Sequence, residues 1–324
     1  MTTTQTAVHV SADDLRATLA EDAREGLTGT PKSLPPKYFY DARGSDLFEM
    51  ITRMPEYYPT RTEIKILQVH GAAIVARAGF PDTLVELGSG SSVKTRLLLD
   101  QLQATGHLRR YVPVDVSPTA VEQAILDLGV DYPDVELSGI IADFETHLDR
   151  LTGSGRRLVV FLGSTIGNLR PPQRHQFYTS LRAIVDRNDA FLLGTDLVKD
   201  EERLVAAYDD AAGVTAEFNR NVLRVLNREL SADFDPEMFR HVARWNSDAE
   251  WIEMRLRAEH AMVVNLADLG LSVSFERGED ILTEISAKFR RATVAAELAA
   301  AGFELAHWWT DPAGDFALSL AFPR

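Results

Sequence analysis

The spacing of apolar residues changes character several times along the chain. Leu15, Leu19 and Ala23 recur at helical intervals within Asp13–Leu27, which predicts an amphipathic helix behind a flexible start. The next stretch, Pro31-Lys32-Ser33-Leu34-Pro35-Pro36-Lys37-Tyr38-Phe39-Tyr40-Asp41, has no period. Its prolines oppose regular structure while its three aromatics favour burial, so a packed loop is expected. Helices are predicted over 46–52 and, past Pro55-Glu56-Tyr57-Tyr58-Pro59, over 60–78. From residue 83, short apolar runs alternate with helical ones, the order a parallel sheet with covering helices requires. Strands are predicted at 83–87, 110–114, 135–141, 158–162 and 190–196, with helices at 94–104, 118–128 and 172–185. Residues 200–230 read as helical, with Leu204, Ala207, Tyr208 and Ala211 on one face. Over 240–289 the period is two: Ile252, Met254 and Leu256 face one way, Glu253, Arg255 and Arg257 the other. An alanine-rich helix, 292–301, ends at Gly302, and 303–309 pairs with 316–322 across Asp311-Pro312-Ala313-Gly314-Asp315 as a hairpin.

That order is specific. Five strand–helix units, an insert, a helix and a terminal hairpin are the plan of an α/β class I S-adenosylmethionine (SAM) methyltransferase. Its Rossmann-like seven-stranded sheet ends in an antiparallel hairpin at one edge, an ending that nicotinamide-binding domains usually lack. The expected division is an N-terminal segment, 1–60, joining an inserted α+β substrate-binding domain at 199–287, with the methyltransferase core at 61–198 and 288–324.

Composition narrows the partners. A chain of 324 residues suits one large domain or two closely coupled ones. Its 34 basic against 48 acidic residues leave a net charge of −14, and no basic stripe with interleaved aromatics offsets it. A nucleic acid would be repelled, so a small substrate is expected. No apolar run approaches the ~20 residues of a membrane helix, and Met1–Val10 lacks the pattern of a signal peptide. The absence of cysteine excludes disulfides, thiolate nucleophiles and cysteine-ligated zinc. The eight histidines include no i,i+4 pair, so no metal site is expected. A cytoplasmic monomer with no membrane partner is the resulting expectation.

Candidate chemistry gathers at the predicted strand ends. Leu84-Val85-Glu86-Leu87-Gly88-Ser89-Gly90 runs from a strand into a Gly-x-Gly turn, where the backbone can approach a ligand closely. Taken alone, the turn fits dinucleotide binding or no ligand at all. The dinucleotide fingerprint prefers a small residue at 93, and Val93 stands there. Asp115 ends the second strand and could accept from ribose hydroxyls, or serve as a surface acid beside Ser117. Asp143-Phe144 ends the third with an acceptor and a flat apolar ring suited to adenine, although most such pairs are structural. Lys94 could meet a cofactor carboxylate or simply be solvated. Val159-Val160-Phe161-Leu162-Gly163-Ser164-Thr165-Ile166-Gly167-Asn168 repeats the strand-then-glycine logic, but its serine is one place early for a nucleophile elbow. Convergence of four strand ends on the ligand-binding edge of an α/β sheet is what favours a cofactor site. In the insert, Glu284 and Ser286 lie two apart on a strand-like segment and share a face. An acceptor-only carboxylate beside a hydroxyl matches an imidazole with one protonated nitrogen, and a solvent-facing strand edge is the alternative. Tyr57, Tyr58 and Tyr208 either hydrogen-bond a substrate or pack. Asn168, just past the fourth strand, sits where amine-directed methyltransferases place a carbonyl acceptor.

Several of these segments together resemble the histidine-specific Nα-methyltransferases of ergothioneine biosynthesis. They are Pro35-Pro36-Lys37-Tyr38-Phe39-Tyr40-Asp41, Pro55-Glu56-Tyr57-Tyr58-Pro59-Thr60-Arg61-Thr62-Glu63, Glu86-Leu87-Gly88-Ser89-Gly90 and Phe161-Leu162-Gly163-Ser164-Thr165-Ile166-Gly167-Asn168. Tyr208-Asp209-Asp210-Ala211-Ala212-Gly213 and Leu282-Thr283-Glu284-Ile285-Ser286 extend the likeness into the insert, so that it covers about residue 25 to the end. The resemblance implies trimethylation of the α-amine of L-histidine to hercynine, with SAM as the methyl donor. It implies that Gly88, Lys94, Asp115, Asp143 and Phe144 contact SAM. Tyr57, Asn168 and Tyr208 would hold the amino-acid backbone, Tyr57 and Asn168 beside the reacting amine. Glu284 with Ser286 would read the imidazole and Ile285 would also bind substrate, with Tyr40, Phe48, Gly163, Thr165 and Met254 as outer members of the pocket. A methyltransferase acting on another small amine, a nicotinamide oxidoreductase and a non-catalytic sensing module are the rival readings.

Overall fold

The computed structural model describes residues 5–90, 92, 94–151 and 155–324. Val93, on which the dinucleotide fingerprint was weighed, lies outside them. In chain order the N-terminal elements are β1 (Gln5–Val8), α1 (Ala12–Thr28), β2 (Lys32–Ser33), α2 (Ala42–Ile51) and α3 (Pro59–Arg77). Next come β3 (Thr83–Leu87), α4 (Arg96–Ala104), β4 (Arg110–Asp115), α5 (Pro118–Asp131), β5 (Glu136–Ile141), β6 (Arg157–Phe161), α6 (Pro171–Ile184) and β7 (Ala190–Asp196). The insert holds α7 (Glu201–Ala206), α8 (Val214–Leu230), β8 (Phe239–Asn246), β9 (Trp251–Ala258), β10 (Met262–Leu266), β11 (Leu271–Phe275) and β12 (Asp280–Ala287). The chain closes with α9 (Arg291–Ala300), β13 (Phe303–Thr310) and β14 (Phe316–Pro323).

Two compact units result. The first comprises Met1–Val10, Pro59–Val198 and Lys288–Arg324; the second comprises Ser11–Tyr58 and Lys199–Ala287.

In the first unit, the strands form one sheet in the order β1-β5-β4-β3-β6-β7-β14-β13. Strands β5 to β7 are mutually parallel, and β14 and β13 add antiparallel at one edge. Central strands such as β3 and β6 are buried along their whole length, which is why they read as unbroken apolar runs. Among the described residues the sheet has eight strands where seven are expected. The extra one is β1, which pairs in parallel with β5 and replaces the expected flexible start. A strand of four residues at an edge offers too little alternation to be read in advance. It ends where Ser11 caps α1 by accepting from the Asp14 amide, with Asp14 returning the bond.

The second unit has its own core, built from Leu19, Leu27, Phe39, Phe218, Leu226, Phe239 and Leu256 among others. A four-stranded sheet, β2-β12-β9-β8, carries the period-two pattern, with Ile252, Met254 and Leu256 buried. Glu253, on the opposite face, is pushed down to about 2: bonds from Asn246, Trp251 and Arg255 overcome the opposing cost of burial. The proline-rich segment is less irregular than expected, since it contributes β2 and a 3₁₀ turn over Pro36–Phe39 that buries Phe39 completely. The second predicted helix starts earlier, at Ala42, because the Asp41 carboxylate accepts from the Gly44 amide and caps it.

The expected helix over 200–230 is broken. Gly213 takes a left-handed φ of 76°, and Asp210 accepts from the Val214 and Thr215 amides at 3.0 and 2.7 Å to begin α8. Tyr208 therefore lies in the turn between α7 and α8 and not on a helix.

Candidate functional site

In the first unit, the singled-out residues fall at successive C-terminal strand ends. Gly88 follows β3, Asp115 ends β4, Asp143 and Phe144 follow β5, and Gly163 follows β6, so one edge of the sheet gathers them all. Gly88 and Gly90 both have positive φ, 65° and 47°, which only glycine adopts without strain. The Gly88 and Ser89 amides donate to the Val114 carbonyl at 2.8 and 3.2 Å, tying the turn to β4. Asp115 continues the tie: its carboxylate accepts from the Gly90 amide at 3.1 Å and from the Ser117 amide at 2.9 Å. Burial raises this carboxyl above its ordinary value, against the pull of those amides. Phe144 packs edge-on against Phe161, with ring centroids 5.0 Å apart.

Beneath the turn lies an acid. Glu86 is buried and accepts from Thr95, from Tyr111 at 2.5 Å and from Ser92 at 3.3 Å. Desolvation pushes it up to about 7 in spite of those donors and of Lys94 nearby. Lys94 precedes α4 rather than opening it, and it is not merely solvated. Its ammonium donates to Glu63 at 2.6 Å, and Glu63 also accepts from the Gly163 amide at 3.0 Å. Sequence reasoning gave Glu63 no role. A lone acid on a helix carries no local signal, and its partner amide is 100 residues away.

These residues fit a nucleoside-bearing methyl donor. Among the described residues, chain neighbours aside, no atom lies within 4 Å of where a Gly90 Cβ would be, and one at Gly88 would reach only Phe161 and Phe144, at 3.9 and 4.0 Å. The Ser89 hydroxyl between them is buried without a hydrogen-bond partner among the described residues. Acceptors and a flat ring follow at the next two strand ends. After β6, Ser164 takes a φ of 60° and its hydroxyl accepts from the Asp196 amide at 2.9 Å, fixing the 3₁₀ turn Thr165–Asn168.

The second unit brings together Tyr57, Tyr208, Glu284 and Ser286. The solvent-facing alternative for Glu284 and Ser286 fails, because both residues are buried; they pair with β9, while β2 reaches only Ile281 and Leu282 of β12. The Tyr208 hydroxyl lies 2.7 Å from the Ser286 hydroxyl. Tyr57 packs edge-on to Tyr208 and to Phe48, each at 6.2 Å, and Tyr40 meets Phe48 at 5.7 Å. Met254 is the cross-strand neighbour of Glu284. The side chain of Ile285 belongs to the other face of β12 by strand alternation, so it does not share that of Glu284 and Ser286.

A buried relay, also missed in the sequence, supports this cluster. His241 bonds the Tyr208 carbonyl through Nε2 at 2.8 Å, and its Nδ1 meets the Asn219 amide nitrogen at 2.8 Å. A carbonyl can only accept, so Nε2 carries the proton and Nδ1 is the acceptor. Asn219 Oδ1 in turn accepts from the Thr283 hydroxyl at 2.7 Å, one residue before Glu284. The available signal was His241 at an inward-facing position of β8.

Sheet order, terminal hairpin and the glycine-lined strand ends define a class I SAM-dependent methyltransferase. The chain belongs to the family of histidine-specific, SAM-dependent methyltransferases, whose profile matches residues 19–323. It is 59% identical over 313 residues to the histidine N-alpha-methyltransferase of Mycolicibacterium smegmatis, spanning 97% of each chain. To the enzyme of the same name from Mycobacterium tuberculosis it is 56% identical over 313 residues, again 97% of each. Ergothioneine biosynthesis protein 1 of Neurospora crassa is 33% identical over 201 residues, which is 61% of this chain and 23% of that one.

Proposed function

We propose that this protein transfers three methyl groups in succession from SAM to the α-amine of L-histidine, giving hercynine and three S-adenosylhomocysteines, the first step of ergothioneine biosynthesis. The observation that carries this reading is the buried pair on β12. Glu284 offers only acceptor lone pairs, and Ser286, tied to the Tyr208 hydroxyl, can donate or accept. Such a pair suits a five-membered ring with one N–H and one bare nitrogen, and the aromatic rings of Tyr57, Phe48 and Tyr40 supply apolar walls. Ile285 would contribute backbone or packing behind the strand.

On this reading Tyr57, Tyr208 and Asn168 hold the amino-acid end, and Asn168 accepts whatever N–H the amine retains. SAM supplies an electrophilic sulfonium methyl. The amine lone pair forms the N–C bond as the S–C bond breaks, and the electron pair leaves with sulfur as a thioether. Gly88, Asp115, Asp143 and Phe144 hold the nucleoside, and Lys94 takes the methionine carboxylate. No covalent enzyme intermediate is required, so alignment supplies the rate, with a ceiling of roughly 7–11 kcal/mol. The amine must lose a proton before each transfer, which a neighbouring sulfonium charge favours. As methyls replace hydrogens, polar contacts to the nitrogen disappear and later steps depend more on shape. A cytoplasmic monomer remains part of the proposal.

Calorimetry on two variants tests the assignment. Glu284→Ala is expected to cost histidine about 1.5–3 kcal/mol of binding, the worth of a charge-assisted hydrogen bond, with SAM binding little changed. Asp115→Ala is expected to do the reverse. Unaltered histidine affinity in the first variant would refute the imidazole-reading role and favour another small amine as substrate.

A further inference from the structure

Glu63 sits five residues into α3 with its side chain completely buried, at 0% exposure, while the side chain of its partner Lys94 is 22% exposed. Both carboxylate oxygens are engaged: Oε2 accepts from Lys94 at 2.6 Å, and each oxygen lies 3.0 Å from the Gly163 amide nitrogen. The surrounding backbone is shaped to admit this group. A Cβ on Gly194, in β7, would lie 2.2 Å from Glu63 Oε1. One on Gly163, whose φ is 75°, would lie 3.1 Å from the Lys94 ammonium. Two glycines thus leave room for one ion pair, an arrangement that a carboxylate filling space in a core would not need.

We propose that Glu63 is a positioning residue for the methyl donor, fixing the Lys94 ammonium and the Gly163 turn relative to each other. This deepens, and rests on, the reading that Lys94 receives the methionine carboxylate of SAM. An ammonium has three hydrogens. Glu63 takes one on the buried side, which orients the others toward the accessible side. Its charge also cancels that of Lys94, so the arriving donor, with its own sulfonium, meets a neutral pair rather than an added cation. The same carboxylate sets the Gly163 peptide, and hence the start of the turn that ends at Asn168.

Steady-state kinetics on E63Q, K94M and the double variant test this. E63Q keeps the volume and an acceptor for the Gly163 amide but removes the charge. The expected result is a KM for SAM raised about tenfold, the scale of one charge-assisted bond, with the KM for histidine within about twofold of wild type. K94M is expected to lose at least as much for SAM, and the double variant no more than K94M alone. If K94M weakens SAM while E63Q does not, or if the losses simply add, Glu63 is structural and the proposal is wrong. If K94M itself leaves SAM unaffected, the underlying reading of Lys94 falls and takes the proposal with it. Should E63Q not fold, Gly194→Ala displaces the carboxylate without altering charge; the same SAM-selective loss is expected, and equal losses for both substrates would overturn the idea.

Discussion

Around Gly88 the functional groups follow one another at consecutive strand ends, and the backbone does most of the holding: the Gly88, Ser89, Gly90 and Ser117 amides fix the turn and the Asp115 carboxylate. Around Ser286 they come from a loop before α3, a turn between helices and the last strand of the insert, and side chains hold one another. Tyr208 bonds Ser286, and His241 with Asn219 links the Tyr208 backbone to Thr283. On the proposed reading the first design recognises groups that every SAM molecule carries, so it can be written in short local motifs. On the same reading the second has to discriminate among side chains, with buried polar atoms whose partners are fixed in advance. A polar pocket of that kind rejects a ligand that leaves its groups unpaired.

The two regions should respond to pH with opposite sign. Glu86 in the first unit has an ordinary value of 4.5 and is pushed up to about 7 by burial. Between those values the folded chain holds a proton that the unfolded chain has released, so stability falls as pH rises through that window and levels off above it. The displacement corresponds to about 3 kcal/mol. Urea unfolding followed by exchange of the peptide amides around β3, from pH 5 to 8, should show that slope, and Glu86→Gln should flatten it. A slope that survives in the variant would mean that another group is responsible.

His241 acts the other way. Burial holds its imidazole below the ordinary 6.5, with Asp209, Asp210 and Arg220 the charged groups bearing on it. Below 6.5 the unfolded chain takes up the proton first, so the second unit loses stability as the solution is acidified toward the folded value. A protonated Nδ1 would also face the Asn219 amide donor to donor. His241→Ala, which strands the Tyr208 carbonyl and the Asn219 amide, is expected to cost about 1–3 kcal/mol. Protonation of the substrate is common to both proteins, so the wild type is expected to lose histidine affinity on acidification more steeply than the variant, by the part that His241 contributes. Identical acid limbs would remove His241 from the recognition apparatus.

The same contrast explains what could be read in advance. Strands β3 to β7 were legible within a residue or two because each is a buried apolar run between turn signals. The placement of Gly88, Asp115 and Phe144 was legible because strand ends of this topology lie at one edge. Strand β1 was not, being four residues long and stabilised only by pairing with β5. The break before α8 was missed because apolar spacing through Ala207, Tyr208 and Ala211 runs on across it, whereas α7 ends at Ala206 and the Asp210 cap with Gly213 starts a new helix. Glu63, Asn219 and His241 act through partners distant in sequence, so no window of the chain announces them. The resemblance to histidine methyltransferases named Tyr57, Tyr208 and Glu284 without giving the reason they are held where they are.

The central claim is that a ring-reading pocket presents the α-nitrogen of histidine to the methyl donor. Its most direct test is tandem mass spectrometry of the product after the protein is incubated with SAM and each amino acid in turn. The account predicts that histidine alone is converted efficiently, and that fragmentation places all three added methyls on the α-nitrogen. Methyls on the imidazole, or efficient conversion of a different amine with histidine untouched, would contradict it.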